Sequence, residues 1–333
     1  MVVTIDDVQY VFQRVCTPFA ILINSILIYL ILTKSSSSFG AYRYLLIYIS
    51  LFEMAYAIFD FFISPTHFSY GPIFLVIGPA NILTPAVSRT AMSVIHASFC
   101  SIFAVSMAVF TLPFIYRYCV VKGGTLLHSF QTWKLLLWIS FPMIVGVMCT
   151  ILVSTTLESN AETDVILEKH FLPSNSMRLE EITYFGPNYY LTDSDGNEYL
   201  NLKVSIGMFI IVVMVSSSIM CTIFFGIKCY LTLRETVSTV SNSQHYRSVQ
   251  IQLLTSLVIQ TIIPGVLMHA PSSIVFISPI FHYGIGWLGG TIGINVALYP
   301  VLDPLPNLFI IKNFRNAILN TCCKKKVIPT SDF

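Results

Sequence analysis

The chain has 333 residues, of which 55% are hydrophobic and only 10% are charged, and its mean hydropathy is +0.76. Soluble globular domains carry about a quarter charged residues, so this composition excludes an ordinary soluble fold. The net charge of +2 says little by itself and gives no reason to expect a nucleic-acid partner.

Seven apolar stretches are each long enough to cross a membrane as a helix, since about 20 apolar residues cover the ~30 Å hydrocarbon core. We therefore predict an all-α membrane protein, with a seven-transmembrane helix bundle over residues 12–311. The predicted spans are residues 12–33, 44–63, 91–115, 133–157, 204–227, 251–277 and 284–303.

A further apolar stretch, Gly71–Val87, is interrupted by glycine and proline. Its pieces have only about six apolar residues each, which favours an interfacial or re-entrant segment over an eighth span. If this stretch crossed the membrane, every later segment would change sides.

The distribution of basic residues predicts the orientation of the bundle. With residues 1–11 as an extracellular N-terminus, the outer side holds five of the 18 Lys and Arg residues (Arg14, Arg89, Lys169, Arg178 and Lys203) and the inner side holds 13. This excess agrees with the positive-inside rule. Residues 1–11 lack the pattern of a cleaved signal peptide, so the first span is expected to act as an uncleaved signal anchor.

The longest predicted outer loop, residues 158–202, is rich in acidic residues. Its second half alternates aromatic and polar residues around Asp195-Gly196, which predicts a β-hairpin over the outer mouth of the bundle. The segment DSDGNE lacks the remaining ligands of a calcium loop, so we interpret it as a turn. None of the eight cysteines lies in an outer loop, which excludes an extracellular disulfide there.

The chain shows no metal-ligand spacing, phosphate-binding loop or nucleophile motif. We therefore expect no enzyme activity, no metal and no cofactor.

Ionisable and amide side chains inside the predicted spans are candidates for function, because a buried charge costs at least ~2.5–3.5 kcal/mol on insertion scales. Glu53 is interpreted as a structural or switching residue in the second span. Five others are candidates to converge on one ligand cavity in the outer half: Asp60, His96, Gln260, His269 and Asn295. Interhelical hydrogen bonds are the alternative interpretation of each.

Two motifs at span ends resemble those of rhodopsin-like receptors. The segment IYRYC, residues 115–119, resembles Asp-Arg-Tyr, with Arg117 and Tyr118 in place and Tyr116 replacing the acid. The segment DPLPN followed by Phe314 resembles Asn-Pro-x-x-Tyr-(x)5,6-Phe. There Asp303 and Pro304 take the first two places, and Asn307 replaces the tyrosine. Pro264 in the sixth span predicts a kink.

Over nearly its whole length the chain resembles the nematode serpentine chemoreceptors of the Str class. The segments that carry the resemblance are LIYLILTKSSSSFGAYRYLLIYISLFEMAYAIFDF, SYGP, IYRY, QLLTSLVIQTIIPGVLMHAP and YPVLDPLPNLFIIKNFRNAI. The resemblance implies an olfactory or gustatory receptor in the ciliary membrane of a chemosensory neuron, signalling through a heterotrimeric G protein. Its ligand would be a small, volatile or apolar molecule in the outer half of the bundle.

A ligand-gated channel or transporter is the alternative function, because Glu53, Asp60 and the kinked helices could line a conduction path. Against it, the sequence shows no internal repeat and no paired broken half-helices.

The C-terminal segment, residues 312–333, is predicted to be cytoplasmic and to begin with a short amphipathic helix. Asp303 and Pro304 mark the expected end of the seventh span, where Asp303 could pair with Arg117. Cys322 and Cys323, followed by Lys324–Lys326, are candidates for acylation that would hold the helix to the inner leaflet.

Overall fold

The computed structural model describes residues 5–36, 39–80, 88–175, 177–239 and 244–322 of a mostly helical protein. The helices are α1 (Ile5–Lys34), α2 (Tyr42–Ile63), α3 (Arg89–Lys122), α4 (Thr125–Gln131), α5 (Leu135–Thr156), α6 (Ala161–His170), α7 (Leu172–Asn175), α8 (Leu202–Thr239), α9 (Gln244–Pro264), α10 (Ala270–Ile277), α11 (Gly286–Leu302), α12 (Leu305–Ile310) and α13 (Lys312–Cys322). The strands are β1 (Thr66–Tyr70), β2 (Ile73–Pro79), β3 (Ile182–Phe185), β4 (Tyr190–Thr192) and β5 (Glu198–Leu200).

Within these residues, six helical segments are long and apolar enough to cross a membrane: α1, α2, α3, α5, α8, and α9 continuing into α10. A seventh candidate, Gly286–Ile310, is followed by Lys312–Thr321 at an angle of 94°. Helix α3 packs against α5 and α8 and has mostly buried side chains, whereas α8 exposes large apolar side chains such as Phe209 and Met220. An apolar exposed face is expected of a helix that contacts lipid.

A three-stranded antiparallel sheet, β1-β2-β3, covers one end of the bundle, which we call the sheet end. Val76 of β2 pairs with His67 of β1 and with Phe185 of β3. The strands β4 and β5 form a separate hairpin around the Asp-Gly turn, with Tyr190 opposite Leu200. The structure therefore contains the hairpin that was expected in the long loop. Helices α4 and α13 lie at the other end, which we call the opposite end.

Within the apolar stretch Gly71–Val87, residues 73–79 form strand β2 rather than a helix, and the position of this stretch relative to the membrane stays a prediction; residues 81–87 lie outside the described part. Both faces of β2 are covered. Leu75 and Ile77 pack against α6 and α7, while Phe74 packs into the bundle. A strand buried on both faces has a continuous apolar sequence, which hydropathy alone does not distinguish from a short membrane segment.

Several helices extend beyond the predicted spans. Helix α1 begins at Ile5 rather than at residue 12, α3 continues to Lys122 and α8 continues to Thr239. The predicted loop after α3 contains the short helix α4. Hydropathy identifies the part of a helix that lies in hydrocarbon, and polar turns that continue the same helix give no such signal.

The sixth and seventh spans are interrupted near their prolines. A π-helical turn, Gly265–His269, follows Pro264 directly and marks the expected irregularity in the sixth span. In the seventh, a turn at Asp303-Pro304 separates α11 from α12, but the helix resumes at Leu305. Pro304 and Pro306 lie where the new helix starts, where no amide hydrogen is required.

The sharp bend occurs instead at Ile311, which is extended with φ −75° and ψ 110°. This position corrects the predicted junction at Asp303-Pro304. Beyond it, α13 buries Phe314 and exposes Lys312 and Arg315, as expected of an amphipathic helix.

Helices α5 and α8 approach closely at Gly207, where an added Cβ would collide with the Thr156 side chain. We expect Gly207→Ala to lower the free energy of unfolding by about 1–3 kcal/mol through overpacking. Gly265→Ala is the matched control, because a Cβ there meets open space. Melting temperatures of the two purified variants test this. An equal effect of both substitutions would contradict the close approach.

Candidate functional site: an apolar cavity and a buried polar cluster

A cavity of about 210 Å³ lies at the sheet end between α3, α5, α8, α10 and α11. Residues from β1, β2 and the end of β3 close it from above. Its walls are mainly aromatic and aliphatic, with Tyr56, Phe74, Phe99, Phe103, Met208, Phe276, Ile292 and Val296 among them. An apolar pocket with a few polar groups is the usual form of a small-molecule site.

The main fixed polar contact at this cavity joins α3 to the π-helical turn. The Ser106 hydroxyl lies 3.1 Å from Nε2 of His269 and donates to the Phe103 carbonyl at 2.7 Å. The Phe103 ring packs against the His269 imidazole with 4.5 Å between centroids. His269 is therefore held in a defined orientation at the cavity wall.

His67 of β1 also lines the cavity and stacks on Phe74 at 6.1 Å. Its Nδ1 atom is buried without a hydrogen bond. Burial lowers the pKa of His67 to about 4, so this imidazole is neutral near pH 7.

The structure does not bring the five predicted ligand-contacting residues together. His269 lines the cavity, but Asp60 accepts a hydrogen bond from Gln13 at 3.2 Å, and His96 contacts Thr183 below the sheet. Asn295 is half-buried and is absent from the cavity wall. The prediction that all five converge is therefore corrected, and the cavity is formed mostly by apolar side chains.

Gln260 belongs to a different group, which we call the polar cluster: Asn24, Glu53, Gln260, Asp303 and Asn307. All five are fully buried or nearly so. The Gln260 amide donates to Asp303 at 2.6 Å and accepts from Asn307 at 3.0 Å. Glu53 lies beside Asp303 and Asn24, without a hydrogen bond of ordinary geometry.

The polar cluster joins four parts of the bundle. Asn24 of α1 also donates to the Pro300 carbonyl at 3.1 Å, so α1, α2, α9 and the end of the seventh span meet here. An unpaired polar group in hydrocarbon costs several kcal/mol, so these contacts determine how the four helices fit together.

Arg117 is buried on α3 near the opposite end. Its Nη1 donates to the Gln250 side-chain oxygen at 2.6 Å, and its guanidinium lies 3.7 Å from the centroid of the Tyr42 ring. The expected pairing of Arg117 with Asp303 is thus not observed, since each has a different partner. The neighbouring Tyr118 is half-buried, with its ring centroid 5.6 Å from that of Phe225.

Several residues of these sites were missed in the sequence. Gln250 lies one residue before the predicted sixth span, and Tyr42 lies just before the second, so hydropathy places both in loops. Asn24 is recognisable in the sequence as a candidate polar contact between helices, because it is a lone amide in an apolar run. Ser106 and His67 gave none, since serine is common in membrane helices and His67 lies in an unpredicted strand.

These features define a class by fold: a seven-transmembrane helix bundle of the G-protein-coupled receptor type. Squid rhodopsin has the same fold, with a TM-score of 0.62 at 13% sequence identity, covering 96% of this chain and 83% of the other.

The sequence comparisons show the family. Residues 9–319 match the family of serpentine type 7TM GPCR chemoreceptors Str. The chain is 32% identical to the Caenorhabditis elegans "G-protein coupled receptor str-217", over 95% of this chain and 90% of that protein. It is 30% identical to the "Serpentine receptor class r-10" of the same species, over 91% and 88%. The chain belongs to the Str family of serpentine chemoreceptors, which are multi-pass membrane receptors and not enzymes.

The polar cluster generates a stability prediction. Asp303→Ala removes the acceptor of the Gln260 amide, and we expect it to lower the free energy of unfolding by about 1–3 kcal/mol. Asp303→Asn keeps an oxygen at the same place and should cost less. Melting temperatures of the purified variants measure both. Equal losses in the two variants would show that the hydrogen bond does not contribute.

Proposed function

We propose that this receptor detects a small, volatile or apolar odorant in the cavity and activates a heterotrimeric G protein. The observation that carries the proposal is the apolar cavity at one end of the bundle, with a buried arginine, Arg117, near the other. The Str family supports a sensory role, and with it a location in the ciliary membrane of a chemosensory neuron.

The proposed orientation places the sheet end outside the cell. Basic residues of the described helices gather toward the opposite end: Lys34, Arg43, Lys122, Lys134, Lys228, Arg234, Lys312 and Arg315. The positive-inside rule therefore supports a cytoplasmic opposite end. The start of α1 packs at the sheet end, where Gln9 contacts Pro65, which agrees with an outer N-terminus.

The proposed mechanism is a shift between two arrangements of the bundle. A ligand that binds only one arrangement better shifts the population, and about 5.5 kcal/mol of differential affinity changes it from 1:99 to 99:1. The path runs along the sixth span, from His269 at the cavity through Gln260 in the polar cluster to Gln250 at Arg117. Movement about Pro264 would release Arg117 from Gln250 and open the cytoplasmic face.

The G-protein surface would consist of the ends of α8 and α9 together with α4 and α13. Helix α4 exposes Leu126, and Trp133 just beyond it is 70% exposed. Large apolar side chains on a polar surface are typical of partner contacts.

Arg117→Ala is expected to reduce ligand-evoked G-protein activation by at least about tenfold, while surface expression remains intact. The substitution removes the guanidinium that would contact the G protein once released. Arg43→Ala is the matched control, because Arg43 lies at the same end but is exposed and, among the described residues, hydrogen-bonds to Tyr44 alone. Nucleotide exchange on the G protein measures the effect. Normal exchange in Arg117→Ala would contradict the assignment.

The alternative, a ligand-gated channel or transporter, needs Glu53 and Asp60 on a common path. In the structure Glu53 lies in the polar cluster and Asp60 is bonded to Gln13, and neither lines the cavity. Ligand-evoked current that survives inhibition of G proteins would favour the channel.

Acylation of Cys322 and Cys323 would anchor α13 to the inner leaflet. Helix α13 ends at Cys322, and Cys323 with Lys324–Lys326 lies outside the described residues. We expect Cys322→Ser with Cys323→Ser to abolish incorporation of labelled palmitate. Cys229→Ser is the control, because that thiol is buried near the same end. Unchanged incorporation in the double variant would refute acylation at these sites.

A further inference from the structure

The geometry of the cavity points to the class of its ligand: we infer that it binds a neutral, mostly apolar alcohol of about eight non-hydrogen atoms, whose hydroxyl donates to Nδ1 of His269. This inference rests on the proposed ligand site and adds the chemical class that the site selects. Three observations support it: the cavity volume, the fixed hydrogen-bond direction at Ser106, and the unpaired nitrogen of His269.

The volume sets the size of the ligand. A cavity of about 150 Å³ in a protein interior accommodates benzene, which has six carbon atoms. Scaling that ratio to about 210 Å³ gives a molecule of about eight non-hydrogen atoms. The apolar walls require that most of these atoms be carbon, because an unpaired polar atom would lose its hydration without replacement.

The Ser106 hydroxyl determines which imidazole nitrogen carries the hydrogen. A serine hydroxyl has one hydrogen, and the Phe103 carbonyl, 2.7 Å away, can only accept. Since the contact with the Phe103 carbonyl is the shorter of the two, we assign the hydroxyl hydrogen to it and interpret the 3.1 Å contact with His269 as a hydrogen bond donated by Nε2 to the Ser106 oxygen. A charged imidazole is costly in this apolar interior, so His269 is neutral and its Nδ1 has a free lone pair.

The Nδ1 atom of His269 has no hydrogen-bond partner among the described residues, and it is absent from the fully buried unpaired atoms. Since His269 lines the cavity, we infer that the accessible surface of this atom faces it. It is a fixed acceptor. A ligand hydroxyl can donate a hydrogen bond to this nitrogen. A ketone or aldehyde oxygen has no hydrogen to donate, so its lone pairs would repel the lone pair of Nδ1.

The other polar groups at the wall do not reverse this preference. Ser273 donates to the His269 carbonyl at 2.7 Å and is therefore occupied. The hydroxyls of Tyr56, Ser272 and Ser216 have no bonded partner among the described residues, and each can rotate to donate or accept. The neutral His67 imidazole offers one donor or one acceptor. A ligand hydroxyl both donates and accepts, so it satisfies His269 and one of these adaptable groups together.

The test uses purified full-length receptor in lipid nanodiscs and the matched pair 2-heptanol and 2-heptanone, each with eight non-hydrogen atoms. Ligand-dependent thermal stabilisation over a concentration series gives the two dissociation constants, and a receptor-free nanodisc corrects for partition into lipid. We expect 2-heptanol to bind about tenfold more tightly than 2-heptanone.

Ser106→Ala tests the direction of the hydrogen bond. Without the serine oxygen, the imidazole hydrogen is free to move to Nδ1, so the preference for 2-heptanol should fall to about one. Ser106→Thr keeps the hydroxyl and should keep the preference. Ser98→Ala, at a half-buried serine on α3 bonded to the Val94 carbonyl, is the matched control and should also keep it. A structural role alone would weaken both ligands equally and leave their ratio unchanged.

Three results would overturn the inference: equal or tighter binding of 2-heptanone by the unmodified receptor, a preserved ratio in Ser106→Ala, or binding of neither compound. A separate measurement of G-protein nucleotide exchange in the same nanodiscs tests the proposed function. Selective binding of 2-heptanol without exchange would refute G-protein activation and leave the ligand class standing. Exchange evoked equally by ketones would refute the ligand class and leave the function standing.

Discussion

A polar side chain inside a membrane-spanning bundle has to find its partner on another helix, because hydrocarbon offers none. In this receptor the sixth span carries three such side chains, Gln250, Gln260 and His269. They contact, in turn, a guanidinium on α3, a carboxylate at the end of α11 and a serine hydroxyl on α3. The position of this span is therefore fixed by hydrogen bonds at three depths. Any movement of it must exchange these partners for others.

The spacing of the three contacts determines which parts of the sixth span can move relative to one another. Gln250 and Gln260 are ten residues apart on one regular helix, about 15 Å at 1.5 Å per residue, so they move together. His269 lies beyond Pro264 on the π-helical turn, where the regular hydrogen-bond ladder is broken. The break separates the contact at the cavity from the two deeper contacts. A change at His269 can thus alter the angle between the two halves without unfolding either.

The sequence was sufficient for the bundle and for several of the deep polar residues, but not for Asn24 and Gln250 or for the pairing of these side chains. Seven apolar runs specify seven spans because hydrocarbon thickness sets the length. Arg117 and Asp303 were recognisable as candidate switch residues, but the suggested contact between them is not observed. Which residue each one contacts depends on helix rotation and depth, and a run of apolar residues contains little information about either.

The residues that line the cavity were likewise only partly predictable from the sequence. Four of the five predicted ligand residues do not line it. A polar residue in an apolar run indicates that the side chain is buried in the bundle, but not which helix or cavity that side chain faces. The actual upper wall comes partly from β1 and β2, which pair with each other and, through β2, with β3 over 100 residues away. Contacts of such high sequence separation have no local signature. The apolar run of β2 is evident in the sequence. That it forms a buried strand depends on helices α6 and α7, which cover one face of it.

The apolar walls and the few polar atoms of the cavity have different roles in activation. Burial of a hydrophobic ligand is worth about 25 cal/mol per Å² in either arrangement of the bundle, so it supplies affinity without favouring one state. Only a contact that differs between the states shifts their populations. His269 is the proposed candidate for such a contact, because it is a cavity residue on the irregular turn of the span that also holds Arg117 through Gln250. In the proposed mechanism, recognition of the ligand's polar atom and transmission of the signal would therefore depend on the same side chain.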